Sequence, residues 1–178
     1  MEIKASDVKD LRDLTGAGMM EVKQALLEAG GDVERAKQIL KDRGATIAAK
    51  KADRVAANGV IASYVHTGNQ VGVLVEVKVE TDFVARDEKF IAFAREVAIH
   101  IAGMDPKYID KSEVSESELK EADDPDAYIK EVCLLEQSFV KMPDKTIRQL
   151  VEEQVALFKE NIRISRFVRY ELGVAPTC

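Results

Sequence analysis

Two histidines, His66 and His100, and two cysteines, Cys133 and Cys178, make up the imidazole and thiol complement of the 178 residues. A hydrolytic triad needs a nucleophile beside a base, and neither histidine stands in a nucleophile motif, so acyl transfer is not indicated and no catalytic residue is assigned. The cysteines lie far apart without a CxxC spacing, which points away from a zinc site and from a disulfide framework. Cys133 reads as packing, and Cys178 as a residue able to bridge two chains under oxidising conditions. No GxxxxGK[ST] or GxGxxG segment follows a strand pattern, so the backbone cradle for a nucleotide phosphate is missing. His100 stands among Val97, Ala98 and Ile101, the setting of a packed helical histidine rather than a metal ligand. The expectation is of no cofactor and no metal.

The segment Thr81-Asp82-Phe83-Val84-Ala85 differs in kind, because it stands where the best strand pattern ends and a helical pattern begins. Asp82 capping that helix, with Phe83 packing seven residues ahead of Phe90, is one arrangement. In the other, Phe83 projects from the junction as an apolar knob on a rigid base, the kind of anchor that dominates protein interfaces. The residues alone leave both open.

The elements that would carry these residues change period along the chain. Ser6 caps a first helix with Val8, Leu11 and Leu14 at helical spacing, broken by Thr15-Gly16-Ala17-Gly18. A second runs from about Met19 to Ala29 with Val22, Ala25, Leu26 and Ala29 on one face, and Gly30-Gly31 stops it. Asp32 caps a third, with Val33, Ala36, Ile39 and Leu40 inward and Gly44 at its end. Such short helices are unstable alone in water, so residues 1–45 read as one three-helix bundle. Residues 46–57, rich in alanine and lysine, read as a helical connector.

From there Val71, Val73, Val75, Val77 and Val79 alternate with Gly72, Leu74, Glu76, Lys78 and Glu80, a half-buried strand. Gly59 to His66 supplies a hairpin partner through a turn at Thr67-Gly68-Asn69-Gln70. Ile162 to Leu172 supplies a third antiparallel strand. Helices are expected up to Ala102 and around Ile147, Leu150, Val151, Gln154 and Phe158, with a solvated acidic helix and loop between Ser112 and Asp126. The class is α+β, with residues 58–178 forming a core of a three-stranded antiparallel sheet packed against helices.

The chain has 32 acidic and 26 basic side chains, a formal net charge of -6, which is the wrong sign for a protein whose main ligand is a phosphate backbone. Nucleic acid is therefore not an expected partner. The apolar stretch Phe90 to Ala102 is interrupted by Arg95, Glu96 and His100, short of a membrane span. The opening Met1-Glu2-Ile3-Lys4 has no basic-then-apolar leader, so a cytoplasmic protein with no membrane partner is the expectation.

Leu11 through Thr15-Gly16-Ala17-Gly18-Met19-Met20 to Lys23, Ala25 and Leu26 resembles the opening of the elongation factor Ts family. The resemblance continues through Gly30-Gly31-Asp32, Lys41, Gly44, the connector Ala48-Ala49-Lys50-Lys51-Ala52 and Thr81-Asp82-Phe83-Val84-Ala85. Gln137, Phe139, Pro143, Arg166-Phe167, Arg169 and Glu171-Leu172-Gly173 extend it to the C-terminal region, and Asp105 to Val132 carries least of it. Ser138 stands where many members have proline, and Asp53 where glycine is common.

That resemblance implies a ubiquitin-associated-like N-terminal bundle and a guanine nucleotide exchange factor that binds elongation factor Tu. By it, Met19, Met20 and Lys23, with Lys51 as a weaker carry-over, touch the partner's nucleotide domain, and His66 touches a second partner domain. The segment Thr81 to Ala85 would insert Asp82 and Phe83 beside the partner's magnesium and phosphate. Long members carry two core halves and a coiled coil, whereas this sequence carries one half, which implies a homodimer. The competing reading is a passive ubiquitin-associated-type binding module without exchange activity, and a small enzyme is a third.

Overall fold

The computed structural model describes residues 3–174, so Cys178 lies outside the described residues. Two compact units divide the chain, one of residues 1–55 with 151–161 and one of residues 56–150 with 162–178.

In the first unit, α1 (Ala5–Thr15), α2 (Met19–Glu28) and α3 (Val33–Lys51) bury Leu11, Val22, Ala25, Leu26, Ala29 and Ala36, with Ile39 and Leu40 packed against them. Ser6 does not cap α1: it lies inside the helix, Lys4 occupies the cap position without a side-chain bond, and Leu14 is exposed. Gly16 adopts φ 68° and sends its N–H back to the Arg12 carbonyl, a left-handed stop that favours glycine. Asp32 does cap α3, its carboxylate accepting the Arg35 N–H at 3.0 Å.

Gly44 does not end α3, which runs on through the alanine- and lysine-rich stretch to Lys51. Gly44 is buried there, and the residues that follow are strong helix formers, which offsets a glycine cost of about 1 kcal/mol. Asn161 closes the turn after the helix by donating to the carbonyls of Ala52 and Arg54.

The second unit is built on β1 (Asn58–Val65) and β2 (Val71–Val79), followed by a one-turn helix α4 (Asp82–Ala85) and the long α5 (Glu88–Met104). Further along come α6 (Glu116–Glu121), α7 (Pro125–Val132), β3 (Ser138–Phe139), β4 (Met142–Thr146), α8 (Ile147–Phe158), which belongs to the first unit from Val151 onward, and β5 (Ile162–Glu171). The strands β1, β2 and β5 form an antiparallel sheet in the order β1-β2-β5, with Val60 opposite Val77 and Val77 opposite Ile164. The fold is α+β. Val73, Val75, Val77 and Val79 are all buried, on the side from which α5 brings Phe90, Ala94, Val97, Ala98 and Ile101 into the core. Four consecutive alternate valines and a helix with one apolar face are enough to specify that layer.

The hairpin of β3 and β4 has no counterpart in the sequence reading. Part of what holds it is a buried polar chain: Gln137 Nε2 donates to the carbonyls of Glu131 and Met104, which turns its Oε1 toward His100 Nε2 at 3.0 Å. His100 must then carry its proton on Nε2, and Nδ1 accepts the Val140 N–H at 3.3 Å. Burial holds the imidazole below its ordinary pKa, opposed by the Gln137 bond. In the acidic stretch, the hydroxyls of Ser115 and Tyr108 hold the Glu118 carboxyl down at about 2.

Candidate protein-docking surfaces

The tip of the second unit begins where β2 ends. Asn58 Nδ2 donates to the Glu80 carbonyl at 2.7 Å, tying the start of β1 to the residue that leaves β2. Thr81 then has extended backbone, φ -115° and ψ 156°, and its hydroxyl accepts the Val84 N–H at 3.4 Å. Thr81 is therefore the cap of α4, and Asp82 is the first helical residue, not the cap as one sequence reading had it. A Thr cap leaves the acidic side chain of Asp82 free for another use.

Within that turn, Ala85 is buried and Thr81 and Val84 are half-buried, which anchors the segment to the unit. The other side of the turn faces solvent. Phe83 is 85% exposed. It does not pack onto Phe90, which is fully buried, so of the two arrangements open in the sequence the projecting one is found. Asp82 lies beside Arg86 one turn on, with Oδ2 3.1 Å from the guanidinium. The tip thus presents an aromatic ring and a locally neutralised carboxylate on a short helix seated on β1 and β2.

His66 is exposed at the turn after β1, with Nδ1 3.1 Å from the Tyr64 hydroxyl. Its main chain closes that turn: the His66 N–H donates to Val71, and its carbonyl accepts the Asn69 N–H. Asn69 and Gly68 supply the positive φ values, 56° and 92°.

In the first unit, α2 starts at the Gly16-to-Gly18 loop. Met19 and Met20 are 58% and 75% exposed, so core packing explains neither, and Lys23 projects from the same helix. The residue that sequence reasoning missed is Glu21. Its Oε2 accepts the Gly18 N–H at 3.2 Å, and its Oε1 lies 2.8 Å from Lys159 Nζ. That lysine is the first cause of its lowered carboxyl pKa. Lys51 is not a free cation: its ammonium donates to the Lys159 carbonyl at 2.6 Å. Partners more than a hundred residues away leave no local pattern to read.

Among the described residues no three His, Cys, Asp or Glu side chains are placed to hold a metal ion. No helix among them is long and apolar enough to cross a membrane. What both surfaces offer is exposed apolar side chains on rigid supports.

The family model described as Elongation factor TS matches residues 4–124 and 126–174. The chain is 46% identical over 194 aligned positions to the elongation factor Ts of Acetivibrio thermocellus, covering 96% of this chain and 90% of that protein. The elongation factor Ts of Geobacter metallireducens is 45% identical, covering 97% of this chain and 91% of its own length. That of Desulforamulus reducens is 43% identical, covering 97% and 90% respectively.

Proposed function

The chain belongs to the elongation factor Ts family and so to the translation elongation factors, and from that footing we propose that it binds elongation factor Tu and drives release of its GDP by inserting Phe83. The observation that carries the proposal is the 85% exposure of Phe83 on a capped, anchored turn. A phenylalanine in that position gains little from its own fold and nearly the whole of its hydrophobic free energy from a pocket in another molecule.

The mechanism follows from how GDP is held. Magnesium in a P-loop protein requires near-octahedral geometry and tolerates little displacement of its ligands. Burying Phe83 contributes about 1.5–3 kcal/mol, which offsets one to two decades of GDP affinity. The tip enters with Asp82 beside Arg86, so the carboxylate brings less net charge toward the phosphates than an isolated one would. Met19, Met20 and Lys23 form the second contact, on the partner's nucleotide domain, and His66 a third. Refilling with GTP expels the factor, because the coupling between nucleotide and factor is reciprocal.

A homodimer accompanies this reading. The outer face of the sheet leaves Ile61, Val65, Leu74 and Tyr170 exposed, an apolar surface that suits a second copy. The protein acts in the cytoplasm, as a binding partner with no covalent step and no cofactor of its own.

The test is release of a fluorescent GDP from elongation factor Tu, followed in stopped flow against increasing amounts of the protein. A plateau rate well above spontaneous release supports the proposal. A rate unchanged at saturation refutes it and favours a passive binding module.

A further inference from the structure

Lys159 follows α8 in a left-handed backbone conformation, φ 59°, which a residue carrying a Cβ adopts at a cost. Both of its ends are engaged. Its carbonyl accepts from Lys51 Nζ at 2.6 Å, and its own ammonium lies 2.8 Å from Glu21 Oε1. The other carboxylate oxygen of Glu21 accepts the Gly18 N–H at 3.2 Å. A chain of polar contacts thus runs from the end of α8 to the residue immediately before Met19, at the turn from which Met19 and Met20 project.

We propose that Lys159 is a positioning residue for partner binding, fixing Glu21 and through it the first turn of α2, so that Met19 and Met20 are presented in one orientation. The inference rests on the reading that these methionines meet elongation factor Tu. Fold stability alone does not account for the side chain. The Lys159 and Glu21 side chains are 50% and 42% exposed, so the pair adds little to folding, and the left-handed backbone opposes it. What the pair does control is direction. Without Lys159, Glu21 keeps only a weak contact to the neighbouring backbone and has freedom to swing, and the turn that starts α2 loses its outer support. Preorganisation of this kind acts on affinity, because an unfixed contact surface must be ordered at binding.

Lys159→Gly isolates the effect. Glycine adopts φ 59° freely, and the main-chain carbonyl that receives Lys51 is kept, so the variant should melt no lower than the parent. GDP release from elongation factor Tu is measured against factor concentration for the parent, Lys159→Gly, Glu21→Lys, and the swap Glu21→Lys with Lys159→Glu. The expected result is an unchanged plateau for Lys159→Gly with a half-saturating concentration raised about threefold to fivefold at low salt. The difference should shrink in high salt, as the parent's pair is screened. The swap should recover part of the affinity lost in Glu21→Lys. An unchanged half-saturating concentration in Lys159→Gly, or a swap no better than the product of its single changes, overturns the proposal. Should the parent fail to accelerate release at any concentration, the exchange reading falls, and equilibrium binding of the same variants to elongation factor Tu decides the role of Lys159 by the same ratio.

Discussion

Phe83→Ala separates what the ring does for this molecule from what it does for another. In the free protein the ring is 85% exposed, so its removal takes away almost no buried area. The cap of α4 comes from the Thr81 hydroxyl and the seat from Ala85, and neither changes. A surface substitution of this kind moves stability by no more than about 0.5 kcal/mol. Docked in a pocket, the same ring contributes about 1.5–3 kcal/mol. If that energy is used to displace magnesium and phosphate, its loss slows GDP release about 10- to 150-fold at equal factor occupancy. Two assays on one preparation check this: thermal unfolding of the free variant, and release of fluorescent GDP from elongation factor Tu at saturating factor. Intact stability with a slowed plateau is the expected pair. A variant that melts like the parent and releases GDP as fast would rule out a role for the ring in exchange, and one that unfolds several degrees early would show that the ring is part of the core.

Two further outcomes follow from the second unit. His100 is held neutral, with a pKa below its ordinary value because of burial, so the unfolded chain binds a proton that the folded one does not as pH falls through about 6.5. The histidine's contribution is therefore fully present above that value and lost below it, by at most about 1.4 kcal/mol per pH unit; His100→Gln should flatten the unfolding midpoint between pH 7.5 and 5.5, and an unchanged slope would contradict the assignment. Gly59 has φ 154°, and a Cβ there would sit 2.2 Å from the Val77 carbonyl oxygen, so Gly59→Ala should lower stability by roughly 2 kcal/mol or more, read as a fall in the urea midpoint.

The sheet and its facing helix were legible because a run of alternate valines can bury only one face. The same reasoning failed at Gly44, where a glycine without positive φ continues a helix that its neighbours favour. Ser6 and Asp82 were misplaced by one or two residues, since several polar side chains near a helix start are equally able to cap it. The site was half legible. Sequence located the strand-to-helix junction but not which way Phe83 points, because that depends on which residues of a single turn find a seat on the sheet. Glu21's reach back to Gly18 is local and legible as an acidic residue at the third position of a helix, but the Glu21–Lys159 pair and the His100 to Gln137 network could not be read at all: those partners are joined only by the folded chain.

If the proposed exchange operates, GDP and this protein oppose each other on elongation factor Tu, and calorimetry of the two proteins with and without saturating GDP measures that opposition. GDP should weaken the complex, and by the same factor as the protein weakens GDP binding. Equal affinity in both conditions would contradict it.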